Sequence, residues 1–167
     1  MTTGAIKVIT GKKKYKILLT NTMRLHSGEN IRKITLLTSI VLFVSSLTQK
    51  CYCTTTQCGD SIMAVLAGWL GIAFGGAALS WFANPVLWIS WISINRNFKL
   101  SFICSILSPL ICLSFLFFNK VIDDEAGHYN EITGYKTGYW LWLTSSLVMI
   151  AGNLIFYASK QRAIIRS

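Results

Sequence analysis

The sequence predicts an all-α, polytopic integral membrane bundle of four transmembrane helices with a short interfacial helix after Pro85. Three observations carry that prediction. Of 167 residues, 53% are hydrophobic and only 13% charged, with a mean hydropathy of +0.51, whereas soluble domains carry about a quarter charged residues. The apolar residues gather into long runs, and the basic residues lie between those runs. A nucleic-acid binder gathers its cations on one water-soluble face, so the formal charge of +10 points to membrane topology and lipid, with no nucleic-acid partner. One domain is expected at this length, and no linker, low-complexity tract or internal repeat is evident.

Residues 1–33 hold Lys7, Lys12, Lys13, Lys14, Lys16, Arg24, Arg32 and Lys33 against Glu29 and read as a poorly ordered basic tail. The Lys12 to Lys16 cluster is suited to anionic head groups, at about 1 kcal/mol per cation; the simpler role is to orient the first span. A start at Met23 is the alternative that would remove residues 1–22. The first span covers about 34–50. Its apolar run, Ile34 to Leu47, is short against the roughly 17–25 residues needed and reaches that length only through Thr48, Gln49 and the Cys51-Tyr52-Cys53 patch. A basic stretch before such a run also resembles a signal peptide, but no small-x-small triplet follows it, which favours a retained anchor.

The second apolar region, Ser61 to Ile94, is too long for one helix across a core of about 30 Å. Asn84-Pro85 is the predicted breaker, because proline lacks the backbone donor and pushes its predecessor out of the helical region. The second span then covers about 61–82, and Val86 to Ile94 forms the interfacial helix, with Trp81, Trp88 and Trp91 at head-group level. The third span, about 100–118, contains Pro109, which predicts a kink and frees the Ser105 carbonyl. The fourth, about 138–157, opens with Tyr139, Trp140 and Trp142. A second basic tail, 160–167, closes the chain.

Four spans place the N-terminal tail, the Asn95 to Lys99 turn and the C-terminal tail on one side. That side carries thirteen of the sixteen Lys/Arg residues, so it is expected to be cytoplasmic. Five of the six acids, Asp60, Asp123, Asp124, Glu125 and Glu131, fall opposite. The expected location is a cell membrane, of the bacterial inner-membrane kind, crossed several times with both termini cytoplasmic.

Ala67, Gly71 and Gly75 recur every four residues in the second span, beside Ala64, Gly68 and Gly76. Such a small-residue face lets helices approach closely in lipid, either within the monomer or as the seam of a homo-oligomer. Cys51, Cys53 and Cys58 share the first outer loop; a disulfide from Cys58 to Cys51 or to Cys53 fits an oxidising side better than zinc, which wants four ligands. Cys104 and Cys112 read as packing residues. Asp123, Asp124, Glu125 and His128, with Glu131, are the candidates for a metal or acid/base site, although a solvated acidic loop explains them better. No Asp, Glu, Lys, Arg or His falls within the predicted hydrocarbon depth, which disfavours a proton-coupled transporter. Asn153, Ser145 and Ser146 are suited to interhelical hydrogen bonds. No phosphate loop, zinc-protease motif or nucleophile elbow is present, and no cofactor is implied.

The function expected from these features is non-catalytic: association with itself or with an unlike membrane protein through helix packing. The alternatives are an oligomeric channel or membrane-perturbing effector lined by Ser101, Ser105, Ser108 and Ser114, and an enzyme or metal site in the outer loop 123–131.

Overall fold

The computed structural model describes residues 28–122 and 128–165. Along the chain run α1 (Gly28–Leu47), β1 (Lys50–Thr54), β2 (Cys58–Asp60), α2 (Ser61–Ala67), two 3-10 segments (Leu70–Phe74 and Gly76–Phe82) and α3 (Ala83–Ser93). They are followed by α4 (Phe98–Ser114), a 3-10 turn (Phe115–Phe117), β3 (Lys120–Ile122), β4 (Tyr129–Tyr135) and α5 (Thr137–Ile165). Three helices, α1, α4 and α5, are long and apolar enough to cross a bilayer.

The expectation of a purely helical four-span bundle is overturned at two places. First, the strands form one antiparallel sheet in the order β2-β1-β4-β3. The central pair joins the two loops, with Tyr52 opposite Tyr135 and Cys53 opposite Gly134. The sheet is fed by the C-terminal ends of α1 and α4 and by the N-terminal end of α5, so it caps one end of the bundle. Second, residues 61–82 are not a span. The chain folds back on itself at Gly75 and Gly76, whose φ angles of 71° and 62° lie in the left-handed region that glycine alone enters without a steric penalty. Trp81 Nε1 donates to Val65 O at 2.8 Å across this hairpin.

Pro85 is accordingly not the breaker. It lies in the first turn of α3, where its missing N–H would have no helical partner in any case. The helix it was expected to precede is also not interfacial. Ala83, Leu87 and Ser90 are fully buried, and Trp88 and Trp91 pack edge-on against Phe43 of α1. Pro109 sits inside α4, which continues through it. The first helix already includes Gly28, ahead of the Ile34 start expected for the span; the lysine cluster at 12–16 and Met23 lie outside the described residues.

The bundle is tied by small polar side chains, the kind of contact that holds apolar helices together where apolar packing alone does not select a partner. Ser39 Oγ donates to Ser145 O at 2.9 Å, joining α1 to α5, and Trp91 Nε1 donates to Ser39 Oγ at 2.9 Å. Ser90 and Ser101 exchange hydroxyl-to-carbonyl bonds, each 2.9 Å, between α3 and α4. Ser108 Oγ donates to Ala83 O and lies 3.0 Å from Ser146 Oγ. Asn153 Nδ2 donates to Ser101 O at 3.4 Å. Ser101, Ser105 and Ser108 are thus fully buried inside a single chain, where they are not free to line a pore between copies.

At the end away from the sheet, Arg32 Nη2 donates to Ile94 O, and the Arg32 guanidinium lies 5.1 Å over the Phe156 ring. Phe98 packs on Phe156 and Tyr157. The start of α1, the α3–α4 turn and the last turns of α5 therefore share one end. The core divides into a sheet-side cluster around Ala83, Cys112, Phe115 and Tyr139, and a second around Phe43, Leu87, Ile94 and Met149. Trp142 packs against both.

Candidate functional site

The fold-back of residues 61–82 leaves a cavity of about 760 Å³ between the hairpin, the sheet and the first turns of α3 and α5. That size falls in the range of roughly 300–1,000 Å³ typical of small-molecule sites. Its walls are mostly apolar or small: Val65, Gly68, Gly71, Ala77 and Ala78 from the hairpin, Phe115 and Val121 from the α4–β3 side. The described charges among its lining residues, Asp60 and Lys120, come from strands and are half-exposed; Asp60 pairs with Lys50 at 2.7 Å and Lys120 with Glu131 at 3.8 Å.

Among the described residues, two buried side-chain atoms without a hydrogen-bond partner belong to residues lining this cavity, Asn84 Oδ1 and Trp142 Nε1, while the buried Ser61 Oγ beside them has only the Cys51 thiol. Clustering matters here, since an orphaned buried polar atom costs about 1–3 kcal/mol and native structures hold few. Asn84 is 3% exposed. Its Nδ2 donates to Trp81 O at 3.1 Å, which fixes the amide orientation and leaves Oδ1 as the unused acceptor. Trp142 stands edge-on to Tyr139, 6.0 Å between ring centres, and its N–H is the unused donor. Ser61 begins α2, and its hydroxyl has the Cys51 thiol as polar neighbour.

The approach of α5 to this region requires Gly138: a Cβ there would run into Ser61 Oγ and the Lys50 carbonyl. Burial pushes the Cys51 thiol up to about 11, with the Ser61 hydrogen bond pulling weakly the other way. The thiol therefore stays neutral near pH 7, which makes it a poor nucleophile. Cys53 and Cys58, directly opposite each other on β1 and β2, form the disulfide; of the two pairings the spacing left open, this is the one present.

The remaining sequence candidates fare differently. Asp123, Asp124 and Glu125 lie outside the described residues. His128 is exposed, Glu131 is engaged with Lys120, and no group of three or more His, Cys, Asp or Glu residues that could hold a metal occurs among the described residues. Ala67, Gly68, Gly71 and Gly75 do not share a helix face: Ala67 ends α2, Gly68 caps it, Gly71 lies in a 3-10 segment and Gly75 makes the turn. Their smallness serves the hairpin itself, because a Cβ on Gly68 would meet the Trp81 ring at 2.7 Å and one on Gly71 would meet Ala78 Cβ at 3.0 Å.

Asn84 and Trp142 were not read as site residues in the sequence, where one was half of the predicted breaker and the other one of the aromatics opening the fourth span. The available signal was an amide inside an apolar stretch, the same signal that singled out Asn153. Comparison with known proteins finds no matching family model, no matching curated protein and no matching solved structure.

Proposed function

We propose that this chain is a multi-pass membrane protein that performs no chemistry of its own and acts by association, using the outer face of the 61–82 hairpin. The observation that carries this reading is the hairpin's exposed surface. Residues 61–82 contain no charged side chain, so the segment belongs in apolar surroundings. Yet Met63, Leu66, Trp69 and Leu70 point outward, each more than half exposed. Non-helical backbone at membrane depth is tolerated where protein covers it or where it lines a water-filled cavity. The 3-10 segments and the Gly75-Gly76 turn are backbone of that kind, and a neighbouring protein helix laid across Trp69 and Leu70 covers them. Gly68 and Gly71 are partly buried and Ala77 is buried, so the surface offered at Met63, Leu66, Trp69 and Leu70 is a ridge of large apolar side chains.

A photo-crosslinking residue placed at Trp69 or Leu70 in membranes is expected to give a discrete protein adduct, whereas one at Ile155, on the lipid-facing side of α5 and 57% exposed, gives lipid adducts only. The adduct mass separates self-association from an unlike partner. Lipid adducts alone at all three positions would remove the association reading.

We place the end bearing the N terminus of α1 and the α3–α4 turn in the cytoplasm, supported by the skew of Lys and Arg toward that end. Asn95→Cys should then resist a membrane-impermeant maleimide in intact cells and react after lysis, while Tyr129→Cys reacts in both. The reverse pattern would invert the orientation.

A further inference from the structure

We infer that the cavity between the hairpin and the sheet is a binding site for one uncharged, single-chain amphiphile whose head group carries a hydroxyl, a ligand of the monoacylglycerol class. The inference goes beyond the association reading and does not depend on it. Three features of the cavity define the ligand.

The first is the pair of unmet groups. Asn84 Oδ1 is an acceptor seeking a donor, and Trp142 Nε1 is a donor seeking an acceptor. A hydroxyl can donate to the one and accept from the other, and a glycerol head supplies two hydroxyls, with the Ser61 hydroxyl also among the cavity's lining residues. Each of the three atoms is shut off from solvent. Bulk water therefore does not satisfy them, while a head group entering the cavity does so on a small turn of the Asn84 and Trp142 side chains.

The second is charge. The described charged residues lining the cavity are Asp60 and Lys120 on the sheet, both already ion-paired. Nothing near Asn84 and Trp142 offsets the desolvation of a phosphate or carboxylate, so an anionic head is disfavoured there. The third is the wall. Gly68, Gly71, Ala77 and Ala78 present a surface with almost no side-chain relief, along which an acyl chain lies without displacing anything, and the cavity's volume of about 760 Å³ is of small-molecule scale.

The test uses the full chain in phosphatidylcholine nanodiscs, titrated with monoolein and read by native mass spectrometry. Two matched probes are methyl oleate, which keeps the chain and an ester acceptor but has no hydroxyl, and oleoyl lysophosphatidic acid, which adds charge. Monoolein is expected to saturate at one per chain, with both probes weaker by about ten-fold or more: methyl oleate leaves the Asn84 acceptor without a donor, and the phosphate of lysophosphatidic acid is desolvated with no counter-charge. Asn84→Leu should cut monoolein affinity about ten-fold and leave methyl oleate unchanged, erasing the preference for the hydroxyl. Trp142→Phe, which keeps the ring and loses the N–H, should weaken both neutral ligands.

The comparison of probes on the unmodified protein stands even if a variant fails to fold. Equal binding of monoolein and methyl oleate, tighter binding of the anionic probe, or monoolein uptake that rises without saturation would each overturn the inference. The last result would mean that the orphaned groups are met by water or by bulk lipid alone.

Discussion

Gly152→Ala should lower the thermal midpoint of the detergent-solubilised protein by roughly 3–10 °C. Gly152 lies on α5 where Thr35 of α1 crosses it. A Cβ built there would collide with the Thr35 Cβ, Oγ1 and Cγ2 atoms together. Thr35 is 7% exposed and β-branched, so it has little rotamer freedom with which to move aside. The helices must separate instead, and the contacts placed between them are the short ones: Ser39 to Ser145 at 2.9 Å, one helical turn away on α1, supports Trp91 of α3 in the same step. Overpacking of a filled interior costs about 1–3 kcal/mol, and Gly152→Leu should exceed that and release α1. The check is a double-mutant cycle with Thr35→Gly. In that background Gly152→Ala should add little further loss, giving a coupling of about 1 kcal/mol or more. Additive losses would mean that the α1–α5 approach is not as close as described.

The elements legible in the sequence were those whose signal is local and long. α4 and α5 announce themselves as apolar runs that no other structure accommodates at that length, and the run of α1 was visible too, although its helical residues ahead of Ile34 were hidden by the charges of Glu29, Arg32 and Lys33. The sheet was not legible, for a physical reason. β2 and β3 are three residues each and β1 five, too few for a period-two pattern to register. What makes them strands is the pairing of β1 with β4, about eighty positions apart in the chain, and such context overrides intrinsic preference in sheets more readily than in helices. The cavity was hidden by the same misreading that hid the hairpin. Glycines at four-residue spacing look identical whether they pave a helix face or break the helix, and the choice between the two is made by where Trp81 and Ala78 come to rest.

That choice can be pushed the other way. Replacing both Gly75 and Gly76 by alanine should destabilise the hairpin by about 2–4 kcal/mol, since each left-handed residue with a Cβ costs roughly 1–2 kcal/mol. No atom lies within 4 Å of a Cβ at either position, so the penalty is one of backbone conformation alone and cannot be relieved by neighbours moving away. Alanine is also the best helix former, about 1 kcal/mol per residue better than glycine, so the same change stabilises the continuous helix over 61–82. The two effects act in one direction, and the double variant should shift toward a straight segment. Spin labels at Leu66 and Phe82, both exposed, report the difference. They flank the Val65–Trp81 contact in the hairpin, whereas sixteen residues of straight helix separate them by about 24 Å. A distance distribution moving toward that value, together with loss of the cavity and of any ligand it holds, is the expected result. An unchanged short distance with unchanged stability would mean that the turn is held by tertiary contacts at Trp81 and not by the two glycines.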